Sequence, residues 1–264
     1  MRSCLYVPGD KPEMLAKAAS RGADVIMADL EDAVPPGRKL EARESVIEFL
    51  RSDARRGASI WVRINDEADA HAIAPLRPDG ISVPKVACVA DIERVDVDLP
   101  VIALIETADG VIDAREIARH PSVVRLALGE ADLGADLGID PSPDHHEWQA
   151  VRTMIVLASA AAGIEAPVAP VTADFTDLVA LRASTVALKR MGFGARAAIH
   201  PAQVPVINEV FTPTADEIAA AQRLLQQFES AGGGVTTDDR GHMIDEAIVR
   251  SARRTLSRAP KHDQ

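Results

Sequence analysis

Short apolar runs alternate with amphipathic stretches along most of the chain. Eight runs stand out: Ser3 to Val7, Val25 to Leu30, Ile60 to Asn65, Ile81 to Lys85, Val101 to Ile105, Val123 to Leu128, Glu165 to Val168 and Ala197 to His200. Runs of four to six residues that are apolar at almost every position fit strands buried on both faces, as in a parallel sheet. The intervening segments carry helical periodicity. Pro12 to Ala19 opens with proline in its first turn and is closed by Gly22, and further helices are predicted over Lys39 to Ala54, His146 to Ala162 and Phe175 to Met191. Strand followed by helix, eight times over, predicts an α/β chain folded as a (β/α)8 TIM barrel. Beyond it come an amphipathic helix, Thr214 to Ser230, the glycine run Ala231-Gly232-Gly233-Gly234, then Met243-Ile244-Asp245 and a last helix from Glu246 to Leu256. The expected division is therefore a barrel over 1–230 and a C-terminal helical extension over 231–264 that hinges at the glycines as a lid.

Charged residues interrupt this apolar framework where the runs end. Glu31 and Asp32 follow the second run, Arg63 lies within the third, Lys85 closes the fourth, Glu106 follows the fifth, Asp132 follows the sixth and His200 closes the eighth. Parallel barrels keep their chemistry at the carboxyl ends of the strands, so this set reads as a site. Two acids on neighbouring strand ends, Glu106 and Asp132, repel each other unless a proton or cation intervenes, and hard oxygen ligands suit Mg²⁺. Each is also a reasonable helix cap. Arg63 presents a planar fork suited to a carboxylate, which makes a keto or hydroxy acid the natural ligand; the alternative is an internal salt bridge to Glu31 or Asp32. Lys85 has two readings, a phosphate contact or a cap on the rim, and His200 either a base or an orienting hydrogen bond.

Composition narrows the classes. The chain has 264 residues, 47% of them hydrophobic, and a formal net charge of −11. That balance argues against a nucleic-acid surface. Cysteine and histidine do not recur at zinc-ligand spacing, the glycines between Gly129 and Gly138 follow no dinucleotide pattern, and no Walker loop is present. With two cysteines, Cys4 and Cys88, and no run suited to a signal peptide or membrane span, a cytoplasmic location with reduced thiols is expected.

Taken in order, Arg2-Ser3-Cys4-Leu5-Tyr6-Val7-Pro8-Gly9, Asp29-Leu30-Glu31-Asp32-Ala33-Val34, Val62-Arg63-Ile64-Asn65, Pro84-Lys85, Ile105-Glu106-Thr107, Ala131-Asp132-Leu133 and Ile199-His200-Pro201-Ala202-Gln203 resemble the citrate lyase β-subunit-like family of the HpcH/HpaI aldolase superfamily. The resemblance covers nearly the whole chain. It implies a Mg²⁺-dependent barrel that cleaves or forms a carbon–carbon bond between an acyl thioester and a keto acid. By motif position Glu106 and Asp132 resemble the metal ligands, Arg63 the carboxylate anchor, and Glu31 and Asp32 the acids that hold metal-bound water. The amides of Gly129, Glu130 and Ala131 would seat the keto acid, while Arg2 and Lys85 would meet the phosphates of the thioester carrier. Met243-Ile244-Asp245 resembles the tail motif of malyl-CoA and citramalyl-CoA enzymes, which would make Asp245 an acid/base delivered from a neighbouring subunit of a homotrimer. The substrate implied is an acyl-CoA of the citramalyl, malyl or hydroxymethylglutaryl type. Three alternatives stay open: a citrate lyase β subunit working on an acyl-carrier protein, thioester hydrolysis of the malate synthase kind, and a keto-acid sensor without turnover.

Overall fold

Eight parallel strands close on themselves in chain order. In the computed structural model, which describes residues 1–55, 58–142, 144–232, 234–237 and 241–259, the chain divides into two units, Met1–Asn208 and Glu209–Gln264. The first unit holds strands β1 (Ser3–Pro8), β2 (Val25–Asp29), β3 (Ser59–Arg63), β4 (Gly80–Val83), β5 (Val101–Ile105), β6 (Val123–Leu128), β7 (Glu165–Ala169) and β8 (Ala195–Ala198). Helices α1 (Pro12–Ala18), α2 (Lys39–Arg51), α3 (Glu67–Ile73), α4 (Val89–Glu93), α5 (Ala108–Ala118), α6 (Glu130–Leu137), α7 (Gln149–Ala162) and α8 (Leu178–Met191) connect them, and α9 (Gln203–Phe211) follows β8. This is the expected (β/α)8 barrel.

Side chains alternate across each strand, and one set fills the barrel: Cys4, Val25, Met27, Trp61, Ile102, Leu104, Ala127, Val168, Ala195 and Ala197 pack into a single buried cluster. Continuing the same period of two to the carboxyl ends brings Tyr6, Asp29, Arg63, Glu106 and Gly129 onto the inner face. The site residues are thus the last layer of the core. Low in the barrel, Gly80 leaves room for the Trp61 ring, because a Cβ there would stand 2.3 Å from the ring and 2.5 Å from the Pro100 carbonyl.

Strands β5 and β6 have the expected bounds, and several other ends differ for local reasons. β4 stops at Val83, since Pro84 has no N–H for a ladder, and Lys85 turns away with φ of 53°. The helix expected from Phe175 starts at Leu178, where Asp177 caps it by accepting from Val179 N at 3.1 Å and Ala180 N at 2.9 Å. Arg2 requires a correction. It precedes β1 and so lies at the opposite end of the barrel from the strand carboxyl ends, where its guanidinium binds Asp24 at 2.6 Å ahead of β2. It ties the amino-terminal rim together and is not available to a carrier phosphate at the site.

The second unit contains α10 (Ala215–Ser230), the antiparallel pair β9 (Thr236–Thr237) and β10 (Met243–Ile244), and α11 (Glu246–Ser257). Thr214 and Glu217 cap α10 reciprocally: Glu217 N donates to Thr214 Oγ1 at 3.2 Å and Thr214 N to Glu217 Oε2 at 2.8 Å. Phe228, Ile244 and Val249 form a small core with Leu224 and Leu225 against it. The boundary expected between 230 and 231 therefore moves: α10 shares its apolar face with α11 and belongs to the second unit. Gly233 of the glycine run and residues 238–240 and 260–264 of the expected extension lie outside the described residues. Among the described residues no helix is long and apolar enough to cross a membrane.

The contact at Gly80 gives a direct stability test. Gly80→Ala should destabilise the protein by about 1–3 kcal/mol through overpacking, since the Pro100 backbone has little freedom to move. Urea denaturation of the variant against the native chain measures it.

Candidate functional site

Asp29 and Arg63 are register partners at the ends of β2 and β3. Arg63 grips Asp29 with both arms, Nε to Oδ1 at 2.7 Å and Nη2 to Oδ2 at 2.6 Å. Its remaining arm, Nη1, lies 2.9 Å from Glu31 Oε2 as an ion pair without hydrogen-bond alignment, and 3.8 Å from Asp32. Above the pair, the Arg63 guanidinium sits 5.1 Å from the centroid of the Tyr6 ring. Burial works against the Arg63 charge, yet the Asp29 hydrogen bonds and the surrounding carboxylates raise its pKa above the ordinary arginine value. Sequence reasoning expected this fork to anchor a ligand carboxylate or to form an internal salt bridge. The internal bridge is what forms, with Asp29 as the main partner.

Asp29 was missed because it reads as the last residue of an apolar strand. Its parity with Val25 and Met27 was the available signal, since that period turns it inward. Lys39 was missed as well: from the start of α2 its ammonium donates to the carbonyls of Leu30 at 2.8 Å and Glu31 at 2.6 Å, fixing the turn that carries both acids.

Glu31 is buried at 5% exposure, and its other oxygen takes a hydrogen bond from Lys85 Nζ. The same ammonium stands 3.7 Å from Asp32 Oδ1 and 3.7 Å from Asp132 Oδ2. The Glu31 hydrogen bond, followed by the fields of Glu31, Asp32 and Asp132, holds the Lys85 pKa above its usual value despite partial burial. Lys85 is accordingly turned in among carboxylates, which is the rim contact of the two readings the sequence allowed. Its backbone N–H also binds Glu106 Oε1 at 2.9 Å.

Glu106 lies opposite Gly129. A Cβ at 129 would come within 2.5 Å of Glu106 Oε2, so the glycine is what lets this carboxylate occupy its place. Burial pushes the Glu106 carboxyl up to about 7; Glu31 and Asp132 add to that, while the Lys85 N–H and Arg63 oppose it. Glu106, Asp132, Asp32 and Tyr6 line a cavity of about 110 Å³, together with Gly129, Glu130 and Ala131 at the start of α6. The side chain of Glu130 is turned aside onto Arg152 (2.6 and 2.9 Å), leaving the first N–H groups of α6 as the polar feature of this wall.

Asp32, Glu106, Glu130 and Asp132 line the cavity, and no lysine, arginine or histidine does. Such a donor set fits a hard divalent cation that keeps water or substrate oxygens in its remaining positions. Among the described residues no three Asp, Glu, His or Cys side chains form a ready-made metal centre, so the protein's share would be the pair Glu106 and Asp132. His200 stacks on Phe175 with ring centroids 4.6 Å apart and accepts from Ala202 N at 3.2 Å through Nδ1. It serves the loop after β8. Asp245, in the second unit, caps α11 by accepting from Ile248 N at 2.9 Å.

A model of the HpcH/HpaI aldolase/citrate lyase family matches residues 2–201. The chain is 38% identical to a (3S)-malyl-CoA thioesterase of Cereibacter sphaeroides, over 98% of this chain and 94% of that protein. It is 32% identical to an L-malyl-CoA/beta-methylmalyl-CoA lyase of the same organism, over 95% and 92%. Among solved structures, the CitE protein of Mycobacterium tuberculosis in complex with magnesium, acetoacetate and coenzyme A superposes with a TM-score of 0.84 at 31% identity, covering 98% of this chain and 97% of that one.

The raised Glu106 carboxyl fixes the sign of a pH dependence. A folded-state value near 7 against 4.5 when unfolded means that the folded protein binds the extra proton between those limits. Its contribution is therefore present below about pH 4.5 and is lost as pH rises to 7, by on the order of 3 kcal/mol. Chemical denaturation in metal-free buffer from pH 5 to 8 should show this decline, and Glu106→Gln should flatten it.

Proposed function

The chain belongs to the HpcH/HpaI aldolase/citrate lyase family, and on that premise we propose that it is a Mg²⁺-dependent carbon–carbon lyase acting on a malyl-CoA-type 3-hydroxyacyl thioester, releasing acetyl-CoA and a keto acid. One observation carries this reading: a small cavity at the ends of β5 and β6 is lined by Asp32, Glu106 and Asp132, with Glu106 buried and raised to about 7, while the fourth acid, Glu130, is already paired with Arg152. Carboxylates assembled so call for a cation.

Glu106 and Asp132 would hold the magnesium ion, which supplies Lewis-acid polarisation of the substrate's hydroxyl and carboxylate oxygens. The N–H groups at the start of α6 donate to the substrate carboxylate. Arg63 acts one step back: through Asp29 and Glu31 it sets the charged floor on which Glu31 and Asp32 orient water. Lys85 pairs with Glu31 and steadies Glu106 through its own N–H. As the bond breaks, the substrate hydroxyl would give its proton to the water that Glu31 and Asp32 orient, and Asp245 of a neighbouring copy in a homotrimer would give one to the acetyl carbon, leaving its capping bond to do so. Free coenzyme A is the carrier in this reading, in preference to an acyl-carrier protein, and the unpaired thiols of Cys4 and Cys88 suit a cytoplasmic setting.

A second reading concerns what happens to the thioester. The higher identity to a malyl-CoA thioesterase favours hydrolysis of the same substrate to a hydroxy acid and free thiol. Phenylhydrazine trapping of the keto acid and thiol titration, run on one incubation with malyl-CoA and citramalyl-CoA, separate the two outcomes. Keto acid without thiol supports cleavage. Thiol without keto acid transfers the assignment to hydrolysis.

Glu106→Ala and Asp132→Ala should each lower turnover by about 1,000-fold, roughly 4 kcal/mol of barrier, and weaken Mg²⁺ binding measured by calorimetry. Asp245→Ala should retain Mg²⁺ and keto-acid binding yet lose cleavage; full activity in that variant would remove the tail from the mechanism.

A further inference from the structure

Beneath and beside the acids, residues of β5 to β8 give the cavity an apolar wall. Leu104, Ala127, Val168, Ala169 and Ala197 are each no more than 7% exposed, and Val171, at 40%, forms the rim. We propose that this wall selects a 2-oxo acid bearing a single carboxylate and a hydrogen or short alkyl group, and rejects one with a second carboxylate. The inference rests on the function proposed above and narrows its substrate class.

The geometry supports it in three ways. A 2-oxo acid whose carboxylate and keto oxygen face Glu106, Asp132 and the start of α6 directs its far end toward the apolar wall. A methyl group gains from burial there, whereas a carboxylate would be desolvated with no partner. The nearest cations cannot serve it, because Arg63 is spent on Asp29 and Glu31 and Lys85 on Glu31, Asp32 and Asp132. Arg196 on β8 faces out of the barrel, toward Ser184 Oγ at 2.9 Å on α8.

The rim residue is also held in place. On one side of Val171, Arg196 Nε donates to the Pro170 carbonyl at 3.1 Å. On the other, Gln203 Nε2 donates to the Thr172 carbonyl at 3.0 Å, while the Gln203 Oε1 takes the Ile199 N–H at 2.9 Å. With both flanking carbonyls fixed, Val171 is a built part of the wall. The volume, about 110 Å³, lies well below the ~300–1,000 Å³ of pockets for drug-sized ligands, which again suits a molecule of few heavy atoms.

Calorimetric titration of the full chain with glyoxylate, pyruvate and oxaloacetate, each with saturating Mg²⁺, tests the proposal. Glyoxylate and pyruvate should bind at least tenfold more tightly than oxaloacetate. Val171→Arg, a change at a half-exposed position, should supply the missing cation and close or reverse that gap. Val171→Leu, which adds bulk without charge, should leave it intact. Oxaloacetate binding to the native protein as tightly as pyruvate, or an unchanged ratio in Val171→Arg, would overturn the selectivity while leaving the lyase reading in place. Absence of binding by all three acids would remove that reading, and the selectivity with it.

Discussion

The two-armed grip of Arg63 on Asp29 is the interaction from which the site is built. Register pairing of β2 with β3 sets the two residues side by side, and the inward parity of both strands buries them together. A guanidinium and a carboxylate taken out of water recover the lost hydration only when their geometry is good and their other lone pairs and protons are used. Here the fork is complete, and the spare arm reaches Glu31. Glu31 in turn engages Lys85, whose backbone supports Glu106 on β5. Four neighbouring strand ends are linked in this way, and Asp132 after β6 meets the same ammonium.

Much of the barrel was legible because parallel strands buried on both faces leave a plain apolar signature. Val101–Ile105 and Val123–Leu128 are the clearest cases, and Glu106 and Asp132 follow from where they end. What the pattern concealed was pairing. Asp29 looks like the tail of Val25-Ile26-Met27-Ala28, and nothing local says that Arg63 will lie directly across from it. Arg2 was misplaced for a different reason: it stands before its strand, and in a parallel barrel the two ends of a strand lie on opposite rims. Lys85 kept two readings, a phosphate contact or a rim cap, because the sequence does not reveal that the turn after Pro84 folds its ammonium back over Glu31.

The tail shows a motif residue that also has a local structural role. Asp245 meets every requirement of a helix cap, and it serves as one. The amphipathic helix α10, which reads as a last barrel helix, instead pairs its apolar face with α11 around Phe228, Ile244 and Val249. Periodicity identifies an element's buried face but not the neighbour that will cover it.

The linkage of charges across successive strands has a historical consequence for the lineage. A substitution that altered one member of Asp29, Glu31, Arg63 and Lys85 would strand the others with an imbalance of charge inside the barrel wall. Viable divergence at these positions should then proceed by compensated exchanges, with energies that fail to sum. The apolar rim at Val171 is held through its neighbours' carbonyls, so its side chain can drift independently, and new substrate preferences can arise there without disturbing the machinery beneath.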